Sequence, residues 1–555
     1  MVKKGRSLMD KIWLKSWPQG MAHRLDFPER PLHAFLKDHA RQSPDRPAIQ
    51  YYGRRISFGE LDEQSDRLAA ALADFGLKKG NRVSLFLENC PQFVIAYYAV
   101  LKGGGIVVAA NPMFKEDELR HEILDSGARI IFTLDHLYPK VKAVKDGTPL
   151  THEIVTSYWD YLPAEPVLPV HPSMKVEKVV FPETHEFLDL LNRYEPDPPA
   201  VETDVRQDLA LLQYTSGTTG LPKGAMITHH SLLHNTVGSA IWMGTTAEDV
   251  VLSVLPFFHV TGMIHSMNMP LYVGGSNVML SRFDTETVVK AIDLFRCTVW
   301  QSITTINVAV VNFPDIGRYD LRCLRRCASG GAPVPEEILR KWRELVGTEL
   351  VEGYGLSETI SQTHVNSVSR PKYGSIGIPH FDVDCRIVDV ESGEDLPLGE
   401  EGELLVKGPM VMKGYWNMPE ETEKTLKDGW LATGDIAKVD EEGFFYLVGR
   451  KKDMIKASGY SVFPAEVEAL IYEHPAVEEV AVIGVPDPYR GENIKAFVIL
   501  RPGFKGRITE TDLISWAKEK MAAYKYPRIL EFVEELPKTG SGKILKRVLR
   551  ERETT

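Results

Sequence analysis

Between Ser57 and Pro112 the chain switches repeatedly between helical and extended hydrophobic rhythm, and this alternation constrains the fold more than any other feature. Ser57 stands at the start with Glu60 three residues later, the signature of a capping box. Leu61, Leu68, Leu72 and Phe75 then recur at helical spacing. Gly76 and Gly80 close that helix and lead into the apolar strand RVSLFLEN. A second helix follows from about Pro91 to Leu101, and Gly103 to Pro112 reads as a turn and a buried strand. Strand, helix and strand at this spacing predict parallel pairing with helices on the sheet faces, an α/β fold.

Further along, prolines from Pro163 to Pro199 are too frequent for regular elements, and residues 158–199 read as an insertion or a long surface crossing. Alternation resumes at Asp208 and runs to about Leu345, where PVPEEILRKWREL predicts a helix with proline at its start and acids in its first turn. From about Gly374 short strands such as DCRIVDV and GELLVKG predict a β-rich subdomain. After Arg450, two helix patterns interleave with two strand patterns, enough for a separate α+β domain of about a hundred residues. The expected architecture is a large N-terminal domain, residues 1–449, of stacked α/β subdomains plus the β-rich subdomain. A small mobile α+β domain, residues 450–555, follows.

The formal net charge of −11 argues against nucleic acid as a partner, since phosphate backbones select basic surfaces. Five cysteines, sparse and odd in number, suit a reducing compartment, and a cytoplasmic protein is expected, as a monomer or homodimer. Cys323 and Cys327 lack the second pair or histidines that would complete a zinc site. No apolar stretch approaches a membrane span. Trp13, Leu14 and Trp17, interleaved with Lys11 and Lys15, leave one alternative to packing on the body: weak peripheral contact with the inner face of a membrane.

The most informative segment chemically is LLQYTSGTTGLPKG. An apolar strand from Leu209 to Tyr214 runs into Thr215, Ser216, Gly217, Thr218, Thr219 and Gly220, with Lys223 and Gly224 after Leu221 and Pro222. Glycines let backbone N–H groups approach phosphate oxygens, hydroxyls donate to phosphate or ligate Mg2+, and Lys223 adds a mobile positive charge. The spacing is not that of the Walker loop, because the lysine precedes glycine rather than serine or threonine.

Further blocks follow in order: LPFFHVTG with His259, ASGGAPV, EGYGLSET, GELLVKGPMVMKGYW, DGWLATGDI, GRKKDMIKASGYSVFPAEVE, and PKTGSGKI with Lys543. Together with YTSGTTGLPKG, they resemble the adenylate-forming enzymes: acyl-CoA synthetases, luciferases and peptide-synthetase adenylation domains. The resemblance covers nearly the whole chain. It implies an AMP-forming acid:CoA ligase that uses ATP, Mg2+ and coenzyme A (CoA).

That resemblance also implies roles. The loop from Thr215 to Lys223 would hold the β- and γ-phosphates, and Glu358 would bind Mg2+ with Thr215 as hydroxyl partner. Gly330, Gly331, Ala332 and Pro333 would line one side of adenine. Glu352, Gly353 and Tyr354, followed by Gly355 and Ser357 in the same block, would line the other, with Tyr354 stacking on the base. Asp435 would accept from the ribose hydroxyls, supported by Arg450. Lys543 would bridge the acid's carboxylate and the α-phosphate. Lys452 matches a hinge, and after rotation about it Lys456 and Gly459 would enter the site, the glycine leaving room for pantetheine. His259 would line the junction of acyl pocket and thiol channel. Lys451 reads instead as a solvated charge, and His229 and His230 as the start of a helix capped by Thr228.

Met263, Ile264, Met267 and Met269 make the segment after His259 apolar and adaptable, and no nearby cation awaits a second carboxylate. The leader and the proline-rich insertion resemble the long-chain fatty-acid branch, so a long- or medium-chain fatty acid is expected. Met263 departs from the tryptophan that some long-chain enzymes carry four residues after the histidine, which leaves short-chain, branched and aryl acids open. Transfer to a carrier protein and a non-catalytic nucleotide-binding scaffold are the rival readings.

Overall fold

The computed structural model describes residues 11–215, 222–457, 460–538 and 544–554. The roles expected for Ser216, Gly217, Thr218, Thr219, Gly220, Gly459 and Lys543 therefore fall outside the described residues.

The predicted helix after Ser57 forms over Phe58–Asp74, and its capping box closes as the spacing requires: Ser57 Oγ accepts from the Glu60 N–H and Glu60 accepts from the Ser57 N–H. The strands that follow, Arg82–Phe86 and Ile106–Ala109, pair in parallel and flank the helix Pro91–Lys102 in sequence. They are the middle of a seven-stranded sheet that is parallel from His185–Glu186 through Leu209–Thr215, with the antiparallel strand Lys223–Thr228 at its edge.

A second sheet, of nine strands among the described residues, carries Val250–Ser253, Val299–Ile303, Arg326–Gly330 and Leu350–Leu356 as parallel neighbours. Beyond Leu350–Leu356 the direction reverses into Ser361–Val365. Residues from Asp384 to Arg450 build a five-stranded antiparallel sheet, the β-rich part expected from the sequence. One continuous hydrophobic core joins these three sheets and runs as far as Phe445. From Ile455 onward separate clusters gather under a further antiparallel-rich sheet and its helices.

The proline-rich stretch differs from the expectation at one place. It carries the short strand His185–Glu186 and the helix Phe187–Arg193, whose Phe187, Leu190 and Leu191 are buried. Apolar residues at helical spacing override the surrounding prolines once the chain packs back on the sheet.

The leader is pinned to the body. Trp13 is 3% exposed and packs edge-on against Phe445, while Trp17 packs against Trp242 and Phe381. Ser16 Oγ donates to the Glu442 carbonyl and the Leu25 N–H to Asp382. A Cβ on Gly443 would stand 2.2 Å from the Trp13 Cα, so only glycine admits the strap here. Among the described residues no helix is long and apolar enough to cross a membrane.

Candidate active site

The site grows from the carboxyl ends of parallel strands, where α/β sheets present their ligand crevices. Ile303 lies opposite Gly330, and Gly330 opposite Gly353, so two strands end side by side while Leu350–Leu356 runs on past them. Gly331 then turns at φ +83°, a left-handed conformation that suits glycine. Gly331, Ala332 and Pro333 are exposed along this turn. Thr304 Oγ1 donates to the Ala332 carbonyl at 2.9 Å, and Glu352 accepts from the Val334 N–H at 2.9 Å. Glu352 is buried, which raises its carboxyl above the usual range, so its direct work here is to brace the turn.

On the other sheet, Leu209–Thr215 and Lys223–Thr228 form the stem of the hydroxyl-rich loop, with Thr215 opposite Lys223. Thr228 ends the second strand by capping the helix His229–Met243, its side chain accepting from the Ser231 N–H. His229 is buried at that helix start, and burial draws its imidazole down to about 4. Lys223 Nζ lies 2.6 Å from Glu421 and 5.1 Å from the centre of the Tyr415 ring. Lys223 and then Lys424 hold the Glu421 carboxyl down to about 2.

Gly414–Trp416 runs along the second stem strand: Met226 N–H donates to the Gly414 carbonyl and Trp416 N–H to the Gly224 carbonyl. This sets Tyr415 between the loop stem and Glu358, to which its hydroxyl donates at 2.8 Å. Burial and the Glu358 charge push the Tyr415 phenol well up, so it remains a donor. Glu358 sits in the single turn Ser357–Thr359 after Leu350–Leu356, and that turn packs against both stem strands. Gly355 just before it is forced to be glycine, since a Cβ there would stand 1.9 Å from the Ser361 carbonyl oxygen.

Asp435 lies on Trp430–Val439 opposite Arg450. Arg450 Nε approaches one carboxylate oxygen at 2.6 Å and the Tyr354 hydroxyl donates to the other at 2.6 Å. Leu356, Glu358, Glu403, Tyr415, Gly434 and Arg450 are among the residues lining one cleft of about 280 Å³. Lys451, still partly solvated, pairs with Glu403 at 2.8 Å, and Asp453 pairs with Arg550 at 2.7 Å. Lys452, between them, is exposed. Lys456 is exposed as well, and its N–H donates to Glu492 at 2.6 Å.

His259 is half-buried, and its Nδ1 accepts from the Thr261 N–H at 3.3 Å. Gln213, in the loop stem, donates to the Phe258 carbonyl at 3.1 Å and ties the two segments together. Beyond His259 the chain forms a π-helix, Gly262–Asn268, an uncommon widening that recurs at functional sites. Met263, Ile264 and Met267 on it, and Met269 after it, are buried.

Among the described residues no group of three His, Cys, Asp or Glu gathers as a protein-only metal cage. Mg2+ commonly takes one or two carboxylates and completes its shell with water and phosphate oxygens. Glu358 fits that chemistry: it is a hard-oxygen ligand in a cleft beside the loop stem, with Tyr415 fixing one of its oxygens. Sequence reasoning missed Tyr415, Glu421 and Glu403. Tyr415 lies in a block that the resemblance had already marked, so that block was the available signal.

Parallel strand ends, an antiparallel stem flanking a hydroxyl-rich sequence, and a carboxylate-bearing cleft suit an α/β enzyme of the adenylate-forming class. The chain belongs to the AMP-binding enzyme family, which it matches over residues 36–416, with the AMP-binding enzyme C-terminal domain over residues 466–543. It is 43% identical to a long-chain-fatty-acid–CoA ligase of Bacillus subtilis (strain 168), over 98% of each chain. It is 37% identical to the enzyme of the same name from Escherichia coli O6:H1, again over 98% of each. The crystal structure of an anthranilate CoA ligase in complex with anthranoyl-AMP superposes with a TM-score of 0.84 at 28% identity, covering 95% of this chain and 98% of that one.

Proposed function

We propose that this chain joins a long- or medium-chain fatty acid to CoA through an acyl-adenylate, releasing AMP and pyrophosphate. In the first step a carboxylate oxygen attacks the α-phosphorus of ATP and the bond to pyrophosphate breaks. In the second the CoA sulfur attacks the acyl carbonyl, the bond to AMP breaks, and the thiol proton leaves to solvent. A site for the first step must hold two anions together with preorganised donors and positive charge.

The observation that carries this reading is the convergence of Glu358, Tyr415 and Arg450 on one cleft, with Arg450 held there by the Asp435–Tyr354 pair behind it. Thr215 and Lys223 would meet the phosphates, and Glu358 would hold Mg2+, which supplies charge neutralisation when bound. Asp435 and Arg450 would meet the ribose, and the Gly330–Pro333 turn would flank adenine. Lys543 would lie between the carboxylate and the nucleotide during the first step. We take the domain boundary at residues 449/450, supported by the separate hydrophobic clusters after Ile455. Lys452 would then be the hinge about which the small domain turns for the second step. The buried Met263, Ile264 and Met267 support an apolar acid.

Acid-dependent exchange of labelled pyrophosphate into ATP, followed by AMP release with CoA across straight-chain acids and benzoates, tests the proposal. Exchange should rise with chain length and need no carrier protein. Preference for benzoates would move the substrate to aryl acids, the chemistry of the structurally similar anthranilate ligase. No exchange with any acid would overturn the reading.

A further inference from the structure

Directly after Glu358 the backbone enters a conformation that side-chain-bearing residues rarely adopt. Ile360 has φ +43° and Ser361 has φ +96°, two consecutive non-glycine residues at positive φ, one of them β-branched. Such strain persists only where the surroundings over-determine it, and it concentrates at functional sites.

The surroundings here are specific. Asn235, fully buried on the helix His229–Met243, aims its amide nitrogen at three carbonyls of the corner: Thr359 at 3.0 Å, Ile360 at 2.8 Å and Gln362 at 3.2 Å. One turn along the same helix face, Ser239 holds His265 Nδ1 at 2.7 Å. His265 Nε2 in turn meets the Ser361 hydroxyl at 3.0 Å. The Thr359 hydroxyl closes the corner from inside, donating to the Ser361 carbonyl at 2.7 Å. Asn235, Ser239 and His265 all sit on elements outside the segments expected to bind nucleotide.

We infer that Asn235 and His265 are positioning residues, which pin the Ile360–Ser361 corner and thereby fix the aim of the Glu358 carboxylate. This rests on the reading of Glu358 as the carboxylate that meets the metal–nucleotide complex. His265 belongs to the π-helix whose buried methionines support an apolar acid, so the same clamp joins that segment to the turn that bears Glu358. A carboxylate displaced by about an ångström loses roughly a hundredfold in rate, so a corner free to relax is costly even when the fold is intact.

The test uses the full chain with Mn2+·ATP as probe, its dissociation constant read by water-proton relaxation, beside melting temperature and pyrophosphate exchange. Ser361→Gly is the decisive variant, because glycine accepts φ +96° and relieves the strain while removing the hydroxyl that His265 holds. Ser361→Gly should melt no lower than the parent, yet bind Mn2+·ATP about tenfold more weakly and exchange about ten- to a hundredfold more slowly. Asn235→Ala should act in the same direction. Thr236→Val, which removes only a bond to the Leu232 carbonyl of its own helix, should leave binding and exchange alone. Parent-like Mn2+·ATP binding and exchange in Ser361→Gly, with both lost in Glu358→Gln, overturns the positioning role and leaves Glu358 in place. Parent-like behaviour of Glu358→Gln overturns the reading of Glu358 itself. Should Asn235→Ala fail to fold, Ser361→Gly still decides.

Discussion

The Tyr354 hydroxyl and the Arg450 guanidinium grip opposite oxygens of Asp435, each at 2.6 Å. Burial and the Asp435 charge push the Tyr354 phenol far above its ordinary range, so it remains a donor. Asp435→Ala should raise the KM for ATP by roughly ten- to a hundredfold, the scale of charge-assisted hydrogen bonds lost from a buried group. Tyr354→Phe should raise it less, since Arg450 keeps the carboxylate oriented. Steady-state kinetics with varied ATP at saturating acid would show the order; equal effects would contradict it.

Arg550, on the terminal helix Lys546–Thr554, reaches Asp453 in the single turn that holds Lys452. The pair is partly exposed and contributes about 1 kcal/mol or less. Asp453→Ala should slow pyrophosphate exchange by about two- to fivefold, because Lys543 precedes that helix by three residues. Exchanging the two charges (Asp453→Arg with Arg550→Asp) should recover much of the loss. A double-mutant cycle whose effects simply add would show that the pair does not couple helix to hinge.

Lys543→Ala should slow adenylate formation by roughly a hundredfold or more, the scale of one charge-stabilising donor. Thioester formation from supplied acyl-AMP should persist. Single-turnover measurement of each half-reaction separates the two, and equal losses would remove Lys543 from the first step.

Gly262 opens the π-helix with its Cα pressed on the Pro256 carbonyl: a Cβ would stand 2.2 Å from that oxygen and 2.6 Å from the Leu255 oxygen. Gly262→Ala should destabilise by about 2–3 kcal/mol, the upper end of overpacking costs, and lower activity on long acids. Thermal melting beside an acyl-chain series checks both.

Stability should fall on both sides of neutrality, for opposite reasons. Burial draws the His265 and His364 imidazoles down to about 3 and His229 to about 4, so the unfolded chain binds more protons between there and about 6.5. Stability therefore declines as pH drops through that window. Burial, aided by the Asp125 charge, raises the Glu122 carboxyl to about 8, so the folded chain holds the extra proton between 4.5 and about 8. Stability from this group is complete below 4.5 and is lost as pH rises towards 8. Glu122→Gln should flatten the alkaline decline in melting temperature by about a few degrees between pH 6 and 9. An unchanged slope would mean that Glu122 is ionised in the folded protein.

Local signals were readable from the sequence because their partners are close in it. Ser57 and Glu60 stand three residues apart, Thr228 caps the helix it precedes, and the apolar stripe after Pro335 becomes the helix Glu336–Val346. The loop stem was legible for the same reason, since a strand meets a dense run of glycine and hydroxyl residues. Tyr415 was not, because its partner Glu358 lies 57 positions away and nothing in the spacing announces the contact. Nor was the corner at Ile360 and Ser361, where positive φ arises without glycine and is imposed by Asn235 and His265 from elsewhere in the fold. The π-helix was hidden because a widened turn has almost the hydrophobic rhythm of an ordinary one.

The strap formed by Trp13 and Trp17 has a practical side. Trimming the chain at Pro28 would strip the covering from Trp242, Phe381 and Phe445 at one stroke and leave an adhesive aromatic face. An affinity tag is therefore better carried ahead of residue 11 on a flexible spacer than spliced in place of the leader. A preparation that aggregates after N-terminal proteolysis should be examined for this cut before its storage buffer is blamed.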